Sequence, residues 1–110
     1  MILELDMPNL FSSLPEQLPE ELEETILETE NLRLVKIVST GQATPAGEWY
    51  DQPTNEWVIL LTGRAGLLFE GRSEVVIMEP GDYINIPAHQ RHRLEWTAPR
   101  QATVWLALHY

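Results

Sequence analysis

The 110-residue sequence predicts an all-β domain of the sandwich or jelly-roll class, of a size that buries a core without disulfides. Three observations point there. Short runs rich in Val, Ile, Thr and aromatic residues alternate in polarity. Beyond Gly41 they are punctuated by Pro45, Gly47, Pro53, Gly63, Gly66, Gly71, Pro80, Gly81, Pro87 and Pro99. No stretch of useful length after residue 30 carries the period of a helix.

Taken in order, residues 1–24 read as an irregular arm, with Leu10, Phe11 and Leu14 as its anchors. A helical turn is expected over Pro19–Glu24, because proline suits a first helical position and glutamates suit the positive end of a helix dipole. Residues 25–110 form the barrel. Thr25–Thr29, the Glu30-Asn31 pair and Leu32–Thr40 make a hairpin with Leu32, Leu34 and Val38 on one face. Trp57–Thr62 and Leu67–Glu70 flank Gly63-Arg64-Ala65-Gly66, which reads as a hairpin connection. A phosphate cradle is excluded there, since neither a helix nor a lysine follows the glycines. Further strands are Glu74–Met78, Tyr83–Ile86, His92–Trp96 and Thr103–His109.

The net charge of −10 is uneven: residues 1–32 carry nine acids and no base, and the rest is close to neutral. The Glu-rich stretch from Glu16 to Glu30 reads as a solvated face. There is no basic stripe for a nucleic-acid backbone, no run long enough to span a membrane and no basic lead of a signal peptide, so a cytoplasmic location is expected. No cysteine is present, so any metal ion must be held by nitrogen and oxygen.

Two segments resemble the paired motifs of the cupin superfamily. Gly81-Asp82-Tyr83-Ile84-Asn85-Ile86-Pro87-Ala88-His89-Gln90-Arg91-His92 is similar to the family's Gly, five residues, Pro-x-Gly, two residues, His, with His89 in place of the second glycine. Tyr50-Asp51-Gln52-Pro53-Thr54-Asn55-Glu56, followed six residues later by Gly63, resembles His-x-His-Pro, two residues, Glu, six residues, Gly, with both histidines replaced. The resemblance implies a double-stranded β-helix. It also implies a metal shell reduced to Gln52, Glu56 and His92, with Tyr50 at a former histidine position. Type I phosphomannose isomerases, also cupins, are similar in using a glutamine beside histidine and glutamate on zinc.

The residues themselves support convergence. Alternation puts Glu56, Val58, Leu60 and Thr62 on one face, and His92, Leu94 and Trp96 on another, so each apolar row is headed by a polar group. A buried carboxylate is costly without a cation or donors, so each head calls for a partner. One imidazole and a few oxygens suit zinc, manganese, iron(II) or nickel and leave positions for substrate. The alternative is a metal-free pocket in which Glu56 is simply ion-paired and His92 is a core histidine. Tyr50, Val58, Leu94, Trp96 and His109 are the expected pocket lining, with His109 equally suited to a dimer surface. His89 is expected at the exposed rim.

The resemblance implies a small-molecule ligand and, in order of preference, metal-dependent isomerase or epimerase chemistry on a sugar, a non-catalytic sensor, or an oxygenase. It also implies a homodimer, since small cupins commonly pair through sheet edges, which hides unpaired strand groups.

Overall fold

A computed structural model describes residues 7–110; the first six residues of the expected arm lie outside it. Eight strands follow in order: β1 (Leu22–Thr29), β2 (Leu32–Ser39), β3 (Glu56–Thr62), β4 (Ala65–Phe69), β5 (Val76–Met78), β6 (Tyr83–Ile86), β7 (His92–Thr97) and β8 (Thr103–His109). They form a five-stranded sheet in the order β1-β2-β8-β3-β6 and a three-stranded sheet in the order β5-β4-β7, with every pair antiparallel. The inner faces enclose a core of Val58, Leu60, Ala65, Leu67, Met78, Ile86, Leu94, Trp105 and Ala107.

The glycine and proline breaks do separate the strands, but two local expectations fail. Pro19–Glu24 forms no helical turn, because Leu22–Glu24 already pair with Lys36–Val38 as the start of β1. Backbone groups that a lone turn would leave to water are satisfied by that ladder. The expected Gly63-Arg64-Ala65-Gly66 hairpin is a corner between sheets at Gly63-Arg64, with Ala65 and Gly66 already in β4, since β3 pairs with β6 and β8 while β4 pairs with β5 and β7. Gly63 makes the corner possible: its φ is +87°, and a Cβ there would lie 2.6 Å from the Thr103 Cα.

The arm is held differently from expectation. Leu10 and Leu14 are half-buried, but Phe11 is exposed. The firm tie is at Leu18, whose N–H donates to Thr40 Oγ1 at 2.9 Å and whose carbonyl accepts from Gln42 Nε2 at 2.7 Å. On β2 the core-facing side chains are Val35 and Ile37, not the expected Leu32, Leu34 and Val38 row. Val38 is buried as well, so both faces of β2 are covered and alternation there does not mark the inside.

Candidate functional site

Cross-strand register stacks the inner face of the larger sheet into rows. Ile86, Glu56, His109 and Arg33 are successive partners across β6, β3, β8 and β2. Leu60, Trp105, Ile37 and Glu23 form a second row across β3, β8, β2 and β1. The facing sheet contributes His92, Leu94 and Leu67. Between them lies a cavity open to solvent, lined by Glu21, Glu23, Ile37, Tyr50, Gln52, Glu56, Val58, Leu67, Ile86, His92, Leu94, Trp105 and His109.

The two motif loops are fastened to each other. Tyr50 and His92 form an isolated bridge, Tyr50 N–H donating to the His92 carbonyl at 2.7 Å and His92 N–H returning to the Tyr50 carbonyl at 3.1 Å. The His89 N–H donates to the Gln52 carbonyl at 2.8 Å, and the Ala88 N–H to Asn55 Oδ1 at 3.0 Å. His89 sits at φ +64° and is exposed, with Nδ1 2.9 Å from Asp51 Oδ1. It takes the backbone conformation that glycine fills in the resembling motif and stays at the rim.

His92 and Glu56, the heads of two different rows, meet across the barrel. They are 5% and 8% exposed, and His92 Nε2 lies 3.5 Å from Glu56 Oε1, an ion-pair contact rather than a tight hydrogen bond. His92 Nδ1 stands 2.9 Å from the Gln90 carbonyl. With its proton directed there, Nδ1 leaves Nε2 facing Glu56 and the cavity. Burial pushes the His92 pKa down, but the Glu56 carboxylate and the Gln90 carbonyl together outweigh this and hold it above the ordinary 6.5. Among the described residues no three His, Asp or Glu side chains stand together as a metal shell, so the strong donors are two, with the Gln52 amide sharing their cavity.

Trp96 does not line the cavity. Where β4 advances one residue, from Leu67 to Gly66, β7 advances two, from Leu94 to Trp96. The extra residue is a bulge that inverts the alternation, so Thr97 turns inward and Trp96 lies over Gly66, where an added Cβ would come within 2.8 Å of the indole Cε2.

Two carboxylates were missed. Glu21 and Glu23, in the stretch read as a solvated face, line the cavity because β1 extends the sheet and Glu23 pairs with Ile37. The Ser39 hydroxyl donates to Glu21 Oε2 at 2.8 Å. Burial pushes the Glu21 carboxyl up, with the Glu23 and Glu56 charges adding to it and the Ser39 bond working against it. The Tyr50 phenol is likewise pushed up by burial and by the Glu21 charge, so it remains an O–H donor. The available sequence signal was the spacing of two between Glu21 and Glu23 next to a predicted strand.

Two short-edged antiparallel sheets around a cavity open at one end define a small double-stranded β-helix with a ligand pocket. The chain belongs to the cupin domain family, whose model matches residues 37–109. It is similar to the solved structure of a candidate mannose-6-phosphate isomerase from Ralstonia eutropha JMP134, at 44% identity over 96% of this chain and 97% of that one, with a TM-score of 0.91. A cupin superfamily protein of Desulfitobacterium hafniense DCB-2 is 14% identical over 99% and 93% of the two chains, with a TM-score of 0.74. A polyketide cyclase of Streptomyces resistomycificus is 18% identical over 83% and 65%, with a TM-score of 0.69. The last two likenesses concern the fold alone. No curated protein matches the chain. No described helix is long and apolar enough to cross a membrane.

Proposed function

We propose that the pocket takes a small polar molecule of the sugar type and moves a proton on it in the manner of an isomerase or epimerase, with a divalent ion held by His92, Glu56 and Gln52. The observation that carries this reading is the meeting of His92 and Glu56 at 3.5 Å in a cavity that also holds proton-bearing groups. The 44% identical Ralstonia protein is described as an isomerase of a sugar phosphate, which agrees with this reading in its reaction class. An ion in that position supplies Lewis acidity toward a carbonyl or hydroxyl oxygen. The chain's own part is clearer. His92 is fixed by the Gln90 carbonyl, Tyr50 offers an O–H to orient a substrate oxygen, and Glu21, held protonated more readily than an ordinary carboxyl, can carry a proton at its carboxyl oxygens.

The test is metal analysis of untagged protein together with exchange of D-mannose and D-fructose followed by NMR in heavy water. Wild type is expected to load about one equivalent of zinc, manganese, iron(II) or nickel. Glu56→Gln and His92→Ala are expected to weaken loading about tenfold or more and to abolish deuterium uptake by the sugar. Wild type that accepts none of these ions overturns the metal-dependent reading. A second reading, a non-catalytic binding module, is favoured by the two-donor count among the described residues, and it predicts sugar binding without exchange.

We also propose a homodimer through β1. This strand ends the larger sheet, is exposed along its whole length, and leaves Leu22, Ile26 and Leu27 in water. Light scattering at micromolar concentration is expected to give twice the chain mass; a monomer mass counts against it.

A further inference from the structure

We infer, resting on the sugar-type reading above, that the pocket is selective for uncharged polyhydroxyl compounds and discriminates against their phosphates. Two independent observations lead there. The first is Trp105, 4% exposed on the inner face of β8, which lines the cavity while its indole N–H has no acceptor among the described residues. The indole nitrogen itself is shut off from solvent, so an acceptor on a ligand meets it only when the ring shifts as the cavity fills.

The second observation is charge. Glu21, Glu23 and Glu56 line the cavity and no Lys or Arg does. Of the seven basic residues, Arg64, Arg91 and Arg93 are engaged with Glu79, Glu70 and Glu95, and Arg72 and Arg100 are exposed in loops outside the lining. Lys36 lies on the opposite face of β2 from Val35 and Ile37, and none occurs in residues 1–32. Arg33 comes nearest by register, paired with His109, but it does not reach the lining. There is no helix N-terminus among the described residues to hold an anion either. A phosphate dianion in this pocket would meet Glu21 and Glu23 with only the His92 imidazole, already paired with Glu56, to offset them. A divalent ion on Glu56 and His92 would offset Glu56 and leave Glu21 and Glu23 facing the rest of the ligand.

An ammonium group would satisfy the carboxylates but would leave the Trp105 N–H without an acceptor. A hydroxyl both donates and accepts. A chain or ring of hydroxyls can therefore meet the indole N–H and the Tyr50 O–H as acceptor and the carboxylates as donor. That pairing of needs selects the unphosphorylated polyol over either ion.

Calorimetric titration of wild type with D-mannose, D-fructose and their 6-phosphates tests the inference, with ¹H–¹⁵N spectra assigned through Trp105→Phe. The neutral sugars are expected to bind and to move the Trp105 indole N–H resonance. Their phosphates are expected to bind about tenfold or more weakly at low ionic strength, with the gap narrowing as salt is added. Trp105→Phe is expected to weaken neutral-sugar binding about fivefold or more with the β-sheet circular dichroism retained. A 6-phosphate that binds as tightly as D-mannose overturns the selectivity and leaves the sugar reading standing. Arg33→Ala would then show whether the rim captures the phosphate. If no compound binds and the indole resonance stays still, the sugar reading falls and this inference with it.

Discussion

His92→Ala lowers the stability of the metal-free protein by about 3–5 kcal/mol near neutral pH, because it strands the Glu56 carboxylate in a site only 8% exposed. The variant also loses ring packing, since the His92 ring lies with its centroid 5.6 Å from that of Tyr50 and 6.1 Å from that of Phe69. Glu56→Gln is expected to cost much less, about 1 kcal/mol, since the imidazole left behind can simply lose its proton. The asymmetry is the signature of the pair. The His92 pKa is raised in the folded protein, so the folded state binds that proton more tightly than the unfolded chain. Its stabilising contribution is therefore fully present below the unfolded value near 6.5 and is lost as pH rises through the folded value. Chelator-treated wild type and Glu56→Gln should accordingly differ most on the acid side of that window and converge above it. Urea denaturation across pH, with the His92 ring titrated by NMR, reads both effects. A His92 titration unchanged in Glu56→Gln would show that the carboxylate does not hold the proton.

Leu60→Ala costs about 3–4 kcal/mol, and with it a fall in Tm of about 4 °C or more for each kcal/mol. Leu60 is 0% exposed at the centre of β3, and its backbone is bonded in both directions to the Gly81-Asp82 turn, at 2.8 and 3.0 Å. Those bonds hold the strand in place, so the cavity left by truncation cannot close by backbone movement. Because Leu60 is the register partner of Trp105, the void opens under a pocket wall, and ligand affinity should fall along with stability. Ile77→Ala, on edge strand β5 with 53% of the residue in water, should stay within about 0.5 kcal/mol. Thermal melts of the two variants separate a packed interior from an open edge, and equal effects would contradict the burial of Leu60.

Much of the architecture was legible because strand alternation and turn chemistry are local. Tyr83–Ile86 begins just after Pro80-Gly81 and ends at Pro87, and Thr103–His109 runs over the residues its alternation marks. The candidate site was half legible for the same reason. Glu56 and His92 each interrupt an apolar period at its head, and a polar group in that position has few affordable places to go except toward the other. Gln52 and Tyr50 were found through motif resemblance, and the structure puts both on the cavity wall.

The remainder needed the partner strands. Whether Glu21 and Glu23 face water or the pocket depends on whether their strand joins the sheet beside Ile37, a pairing about fourteen residues away along the chain. Trp96 left the pocket because β4 imposes a bulge on β7, and a single inserted residue reverses the side of everything after it. The Gly63 corner was mistaken for a hairpin because a tight turn has the same composition whether its strands pair with each other or part into two sheets. The sequence by itself determined an all-β cupin barrel with a histidine and a glutamate turned inward, since periodicity and turn preferences act over a few residues. Only the tertiary structure decided that, among the described residues, three carboxylates and the Trp105 ring line the pocket and no Lys or Arg does, since those depend on which strands become neighbours and in what register.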